Sequence, residues 1–181
     1  MIQLLIFADD FTGALDTGVQ MAASGSTTRV LVGGANELAE TTLDCNVLVL
    51  DVETRHLSAE DAYRVVYDLV KEAVARKIPY IFKKTDSALR GNVGAEMAAV
   101  LDATGKTVFP FVPAFPQIGR TTEDGIPLIN GVEVAYSVFG SDPFEPVRHS
   151  RVSELLGEQT DKPVLECPVP APDAALPESD G

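Results

Sequence analysis

Leu4-Leu5-Ile6-Phe7-Ala8 runs directly into Asp9-Asp10-Phe11-Thr12-Gly13-Ala14. Five apolar residues without polar alternation predict a strand buried on both faces, as strands are inside a parallel sheet. The abrupt change to two carboxylates, a hydroxyl and a glycine predicts a strand-to-helix turn. Leu15, Val19, Ala22 and Ala23 then recur at helical spacing, and Gly25 is placed to cap that helix.

Working outward, the same unit repeats. Arg29 to Val32 and Val47 to Leu50, the latter ending in Asp51, supply two further strands. Ser58 and Asp61 form an approximate capping box ahead of one apolar stripe, Ala62, Val65, Val66, Leu69, Val70, Ala73 and Val74, which predicts a helix. Pro79 to Phe82 is a fourth strand; a shorter helix carrying Val93, Met97, Val100 and Leu101 ends near Gly105; Val108 to Val112 is a fifth strand, interrupted by Pro110. Alternating strands and helices predict an α/β fold, an open, mostly parallel sheet with flanking helices. Asn130-Gly131, between Ile126–Ile129 and Val132–Val134, predicts an appended β-hairpin, and Ser150 is placed to cap a short helix with Val152, Leu155 and Leu156. Residues 1–160 thus read as the α/β domain. Residues 161–181 read as a Pro-rich acidic tail, extended or disordered, because five of the nineteen residues from Pro163 onward are proline.

The balance of charge excludes several classes of partner. The 181 residues carry 14 Lys+Arg against 27 Asp+Glu, a net charge of −13, which repels nucleic acid and anionic membrane surfaces. With 45% hydrophobic and 23% charged residues the chain has a globular composition. There is no signal-peptide pattern and no apolar run near the roughly 18 residues needed to span a bilayer. Cys45 and Cys167 form no C-x-x-C pair, so neither a zinc site nor a disulfide framework is expected, and a cytoplasmic location is. Cys45 reads as a small core residue. His56 and His149 lack partners at metal spacing and read as structural or exposed, so no metal site is assigned.

Ligands of open α/β sheets bind outside the carboxyl ends of the strands, where helix N-termini offer unpaired N–H groups. The polar residues there are Asp9 and Asp10 after the first strand, Asp51 after the third, and Lys83, Lys84, Asp86 and Arg90 after the fourth. Successive strand side chains point to opposite sides, so one of Asp9 and Asp10 enters the crevice while the other holds the turn. The pair either caps the helix and nothing more, or accepts sugar hydroxyls or holds Mg²⁺. Lys83 to Asn92 concentrates three of the fourteen cations in an otherwise acidic chain. Arg90 offers a bidentate fork to an anion, Lys84 a point charge, and Asp86 an acceptor for hydroxyls. A solvated loop of local ion pairs is the competing reading. Pro113 to Thr122 is a stiff loop that carries Arg120, and stiffness lowers the entropy lost in clamping a ligand. Neither G-x-x-x-x-G-K-[ST] nor G-x-G-x-x-G is present.

Taken together, Asp-Asp-Phe-Thr-Gly-Ala after the first strand, Lys-Thr-Asp-Ser-Ala-Leu-Arg-Gly-Asn after the fourth, Pro-Ala-Phe-Pro-x-x-Gly-Arg after the fifth and the Asn-Gly hairpin closely resemble the four-carbon acid sugar kinases, over residues 3 to 160. The resemblance implies an enzyme of carbohydrate metabolism that transfers the γ-phosphate of ATP to a hydroxyl of a tetronate or 3-oxo-tetronate acid. Such kinases join an N-terminal sugar-binding domain to a C-terminal nucleotide-binding domain, and this chain resembles the first. It implies that Asp9, Asp10, Lys84, Asp86, Arg90 and Asn92 line the acid-sugar site, with Thr12, Ser87, Gly91 and Arg120 as loop contacts. ATP and Mg²⁺ belong to the complete kinase, and a nucleotide-binding domain, on a further segment or a separate chain, is the implied partner; no catalytic residue is assigned. Two alternatives stand beside it: a non-catalytic sugar-acid-binding or interaction protein, and a receiver-like domain that accepts phosphate on Asp51.

Overall fold

The apolar run that opens the chain lies inside a parallel sheet, and the order of the elements shows why it is apolar throughout. A computed structural model describes residues 1–40 and 44–167. In chain order the elements are β1 (Leu4–Ala8), α1 (Phe11–Ala23), β2 (Thr28–Val32), α2 (Ala35–Glu40), β3 (Val47–Asp51), α3 (Ala59–Ala75), β4 (Tyr80–Lys84), α4 (Val93–Thr104), β5 (Arg120–Glu123), β6 (Ile126–Ile129), β7 (Val132–Glu133) and α5 (Val152–Gly157). The four-stranded sheet runs β2-β3-β1-β4, every pair parallel. From β1 the chain passes β3 to reach β2; from β3 it passes β1 to reach β4. Right-handed crossovers in opposite directions place α1 on one face and α3 with α4 on the other. Ile6, Ala8, Val47 and Val49 pack with Ala14 of α1, whereas Leu5, Phe7, Leu48 and Leu50 pack with Val66, Leu69, Val70 and Ala99. Register then levels the carboxyl ends of three strands, because Ala8 is paired with both Asp51 and Lys84.

α3 starts as its capping box predicts: the Ser58 hydroxyl accepts from the Asp61 amide at 3.1 Å, and Ala62, Val66, Leu69, Val70 and Ala73 are buried. α1 forms where its periodicity predicts, but the apolar residues of that pattern do not meet the sheet. Its sheet-facing side is Gly13, Ala14 and Gly18, while Leu15 and Val19 are 40% and 62% exposed. The helix lies so close to the sheet that a Cβ on Gly18 would stand 2.6 Å from Val30 Cγ2, and larger side chains are driven to the outer face. The expected fifth strand, 108–112, is not formed: Pro110 and Pro113 have no N–H to give a ladder, and β4 is the edge of the sheet among the described residues.

The Asn-Gly turn is present, with φ of 50° at Asn130 and 82° at Gly131, but β6 pairs with β5 on one side and β7 on the other in a separate antiparallel sheet rather than extending the first. Ile129 and Val134 of that unit, Leu155 and Leu156 of α5, and Leu89 and Val93 of the main domain form one apolar cluster. Ser150 does not cap α5; its hydroxyl accepts from the Ala135 amide, and Arg151 takes the cap position. Cys45 is buried at 2% exposure and Cys167 is exposed, both as free thiols. Residues 161–167 form no regular element, Lys162 pairs with Asp102, and Glu166 accepts from Arg151 and Ser153. The rest of the expected tail, 168–181, lies outside the described residues. No helix among the described residues is long and apolar enough to cross a membrane.

α4 meets α5 at Gly94, where a Cβ would fall 2.6 Å from the Leu156 carbonyl oxygen. Backbone cannot swing aside as a side chain does, so Gly94→Ala is expected to destabilise the fold by about 1–3 kcal/mol in urea denaturation. A variant as stable as the parent would show that this contact is loose.

Candidate functional site

Asp9 and Asp10 leave the end of β1 in opposite directions. Asp10 is the N-cap of α1, its Oδ1 accepting from the Gly13 amide at 2.7 Å. Asp9 turns inward and is 3% exposed. The loop after β3 answers both carboxylates with one side chain: Arg55 donates from Nε to Asp9 Oδ2 at 2.8 Å and from Nη1 to Asp10 Oδ2 at 2.5 Å. Burial works against the charge of Arg55, but the bond to Asp9 and the fields of Asp9, Asp86 and Asp10 outweigh it, and its pKa is raised. Asp9 Oδ1 is shielded from solvent with no hydrogen-bond partner.

The Arg55 loop is tied down from α4. The Asn92 amide donates to the carbonyls of Thr54 and Leu57, both at 2.9 Å. Gly91, at φ +81°, lets the backbone approach, since a Cβ there would lie 3.0 Å from Arg55 Cγ and 3.2 Å from its carbonyl oxygen. Both residues position the loop through backbone contacts.

β4 sends its two lysines to opposite faces. Lys83 goes inward: its side chain pairs with Glu96, which also accepts from the Thr54 hydroxyl, and its Nζ lies 5.5 Å from the centre of the Phe7 ring. Burial raises the pKa of Glu96, with Lys83 opposing; burial likewise raises that of Asp51, which is 1% exposed and accepts from the Glu53 amide. Lys84 emerges on the α1 side, where a Cβ on Gly13 would sit 3.4 Å from its Nζ, and it donates to the Thr85 carbonyl at 2.7 Å.

Beyond it, Arg90 Nε donates to Asp86 Oδ2 at 2.6 Å and Nη1 to Asp142 Oδ2 at 3.1 Å, which joins the main domain to the segment after β7. Burial opposes the charge of Asp86, yet its bond to Arg90 lowers the pKa. Asp142 is held down to about 2, first by the amides of Glu145 and Phe144 and then by Arg90. Arg90 also stacks on Phe139, 5.0 Å from the ring centre, and Arg120 lies 4.4 Å from the same ring.

Asp9, Asp10, Lys84, Asp86 and Arg90 therefore gather along one edge of the sheet, with Ser87 half-buried beside them and Thr12 exposed in the first turn of α1. Sequence reasoning missed Arg55, Glu96, Thr54 and Asp142. Glu96 did leave a signal, three residues after Val93 on the buried stripe of α4, where a carboxylate demands a partner. Asp142 left none, being 52 residues from Arg90. Among the described residues Arg55, Lys83 and Arg90 are paired with carboxylates, whereas Lys84 and Arg120 are not. No three His, Cys, Asp or Glu side chains converge there as a metal centre. A surface hollow lined by Tyr136, Arg148, His149 and Glu154 among others includes none of these groups.

Comparison with known proteins gives a family match over residues 4–178 to the sugar-binding N-terminal domain. The chain is 36% identical over 166 residues to a D-threonate kinase of Salmonella typhimurium, covering 91% of this chain and 38% of that protein. It is 32% identical to a D-erythronate kinase of Heliobacterium modesticaldum, covering 88% and 37%, and 30% identical to a 3-oxo-tetronate kinase of Burkholderia multivorans, covering 87% and 37%. It thus spans less than two fifths of the length of these relatives. A Bordetella bronchiseptica domain of unknown function, solved with bound citrate as a domain-swapped dimer, shares the fold with a TM-score of 0.80 at 34% identity, covering 86% of this chain and 40% of that one.

Removing Arg55 strands two carboxylates, one of them buried. Arg55→Ala is expected to lose about 3–5 kcal/mol of stability, and Arg55→Lys to recover only part of it, because an ammonium cannot fork to both carboxylates. Full rescue by lysine in chemical denaturation would refute the fork.

Asp86 and Asp142 have folded pKa values below their unfolded ones, so their contribution is present above about pH 4 and is lost as the pH falls through the folded values, for Asp142 about 2. Asp51 and Glu96, with raised values, act in the opposite sense, losing stabilisation as the pH rises out of the carboxylate range. On acidification the amides of Phe144 and Glu145 are therefore expected to lose hydrogen-exchange protection before the β1 amides do. Simultaneous loss would show that Asp142 does not anchor that segment.

Proposed function

Because the chain belongs to the family of sugar-binding N-terminal domains, we propose that it is the substrate-binding part of an ATP-dependent four-carbon acid sugar kinase of tetronate or 3-oxo-tetronate type. The observation that carries this reading is the row of carboxylates, Asp9, Asp10 and Asp86, held by Arg55 and Arg90 at the level carboxyl ends of β1, β3 and β4. Carboxylates fixed by guanidinium partners cannot reorganise, and their remaining lone pairs accept hydroxyl hydrogen bonds in a predetermined arrangement. The orphaned Oδ1 of Asp9 is such an acceptor. A ligand carboxylate needs a cation, and Arg90 already faces two carboxylates. Lys84 faces none, so the acid group goes to Lys84.

The names of the relatives, kinases of threonate, erythronate and 3-oxo-tetronate, support a four-carbon acid. Citrate in the Bordetella neighbour is itself a hydroxy acid. ATP and Mg²⁺ do not fit the described residues: there is no phosphate-binding glycine loop in the sequence and no convergent metal ligands in the structure. We assign them to a nucleotide-binding domain beyond this chain, and a cytoplasmic setting follows from that role. The part played here is to bind the acid and hold one hydroxyl still, since phosphoryl transfer depends chiefly on positioning and charge neutralisation.

Thermal-shift measurements test the reading. D-threonate or D-erythronate is expected to raise the melting temperature of this chain while MgATP alone does not. Lys84→Gln is expected to weaken acid binding by about tenfold to a hundredfold, as loss of a charge-assisted hydrogen bond does. No stabilisation by any four-carbon acid would dismiss the assignment.

A further inference from the structure

One cation beside the charged row, Arg120, pairs with no carboxylate among the described residues. Arg120 begins β5 immediately after Gly119, whose φ of +71° turns the chain. Its backbone is pinned on both sides: Phe115 N donates to the Arg120 carbonyl at 2.8 Å, Arg120 N to the Phe115 carbonyl at 3.2 Å, and Asn130 N to the Gly119 carbonyl at 2.7 Å. The side chain is therefore presented by a rigid hairpin.

Arg120 and Arg90 rest on the same Phe139 ring, yet only Arg90 has acidic partners. Arg120 Nε and Nη1 are shielded from solvent and lack any hydrogen-bond partner. Stripping water from a guanidinium without pairing it is unfavourable, and a ring face compensates only in part. In a chain with 27 acidic residues, a half-buried arginine that pairs with no carboxylate among the described residues is an arrangement that an external anion completes. Lys84 lies two residues before Asp86, Asp86 holds Arg90, and Arg90 shares the Phe139 ring with Arg120. The two unpaired cations are thus both linked to the Asp86–Arg90 pair, one along the chain and the other through an aromatic ring.

We propose that Arg120, stacked on Phe139, is a second anion subsite, which receives a carboxylate or phosphate group at the far end of a ligand whose first carboxylate is bound at Lys84. The proposal rests on the sugar-acid reading above and extends its ligand class to four-carbon acids with two anionic groups, either a diacid or the phosphorylated acid. Asp86, which holds Arg90, meets the hydroxyls of the same ligand.

Calorimetric titration of the chain tests this with three probes: D-threonate, with one carboxylate; tartrate, with a carboxylate at each end of the same skeleton; and a four-carbon acid bearing a terminal phosphate. Arg120→Gln, which leaves no carboxylate unpaired, is expected to weaken tartrate, the phosphorylated acid or both by about tenfold or more, and D-threonate by under about twofold. Arg120→Lys restores part of the loss. Whichever dianion responds more strongly identifies the group bound there. Equal weakening of all three probes would reduce Arg120 to a structural role, and no weakening of any would overturn the subsite while leaving the sugar-acid reading intact. If the parent chain binds none of the probes, the sugar-acid reading fails and the subsite fails with it.

Discussion

Two carboxylates follow β1, a strand inside the parallel sheet, and one guanidinium, that of Arg55, spans both. β1 is committed to the interior by five apolar residues in succession, which carries Asp9 to a position that is 3% exposed. A charge so placed needs a fixed partner, because leaving it alone costs several kcal/mol. Arg55 meets that need only if the loop after β3 folds back across the end of β1. That path in turn requires the Asn92 amide to satisfy the Thr54 and Leu57 carbonyls, and a glycine at position 91 to let the backbone pass. The conformation of the whole carboxyl edge follows from one ionic requirement.

The same logic orders the neighbouring charges. Lys83 and Glu96 neutralise each other in the interior, and the Thr54 hydroxyl joins them to the Arg55 loop. Arg90 bridges Asp86 of the main domain and Asp142 beyond the hairpin, so the small antiparallel sheet is held by an ion pair as well as by the apolar cluster of Ile129, Leu155 and Leu89. Once these pairs are formed, the edge presents rigid acceptors and two unneutralised cations, Lys84 and Arg120. Such a surface suits a small ligand that carries hydroxyls and negative charge together.

Much of the scaffold was legible because local signals and tertiary demands coincided. The Ser58 capping box, the Gly105 terminus of α4 and the Asn-Gly turn each specify a backbone conformation through chemistry within a few residues. α1 was legible as a helix from its apolar periodicity, but that pattern does not mark the face that meets the sheet. Close contact with the sheet admits only Gly13, Ala14 and Gly18, and Leu15 and Val19 are left on the outer face. The strand expected at 108–112 had suitable side chains but, with its prolines, lacked the donors a ladder consumes.

By itself the sequence determined the alternation of strands and helices, the placement of Asp9, Asp10, Lys84, Asp86 and Arg90 at strand ends, and the motifs of a sugar-acid-binding family. Those features are local, fixed by periodicity, capping and composition over a few turns of chain. Only the tertiary structure decided which cation neutralises which carboxylate. Arg55 reaches Asp9 across 46 positions and Arg90 reaches Asp142 across 52, distances over which no pattern in the chain links partners. Which charges remain for a ligand depends on those pairings, because a guanidinium already paired with fixed carboxylates is no longer available to an incoming anion.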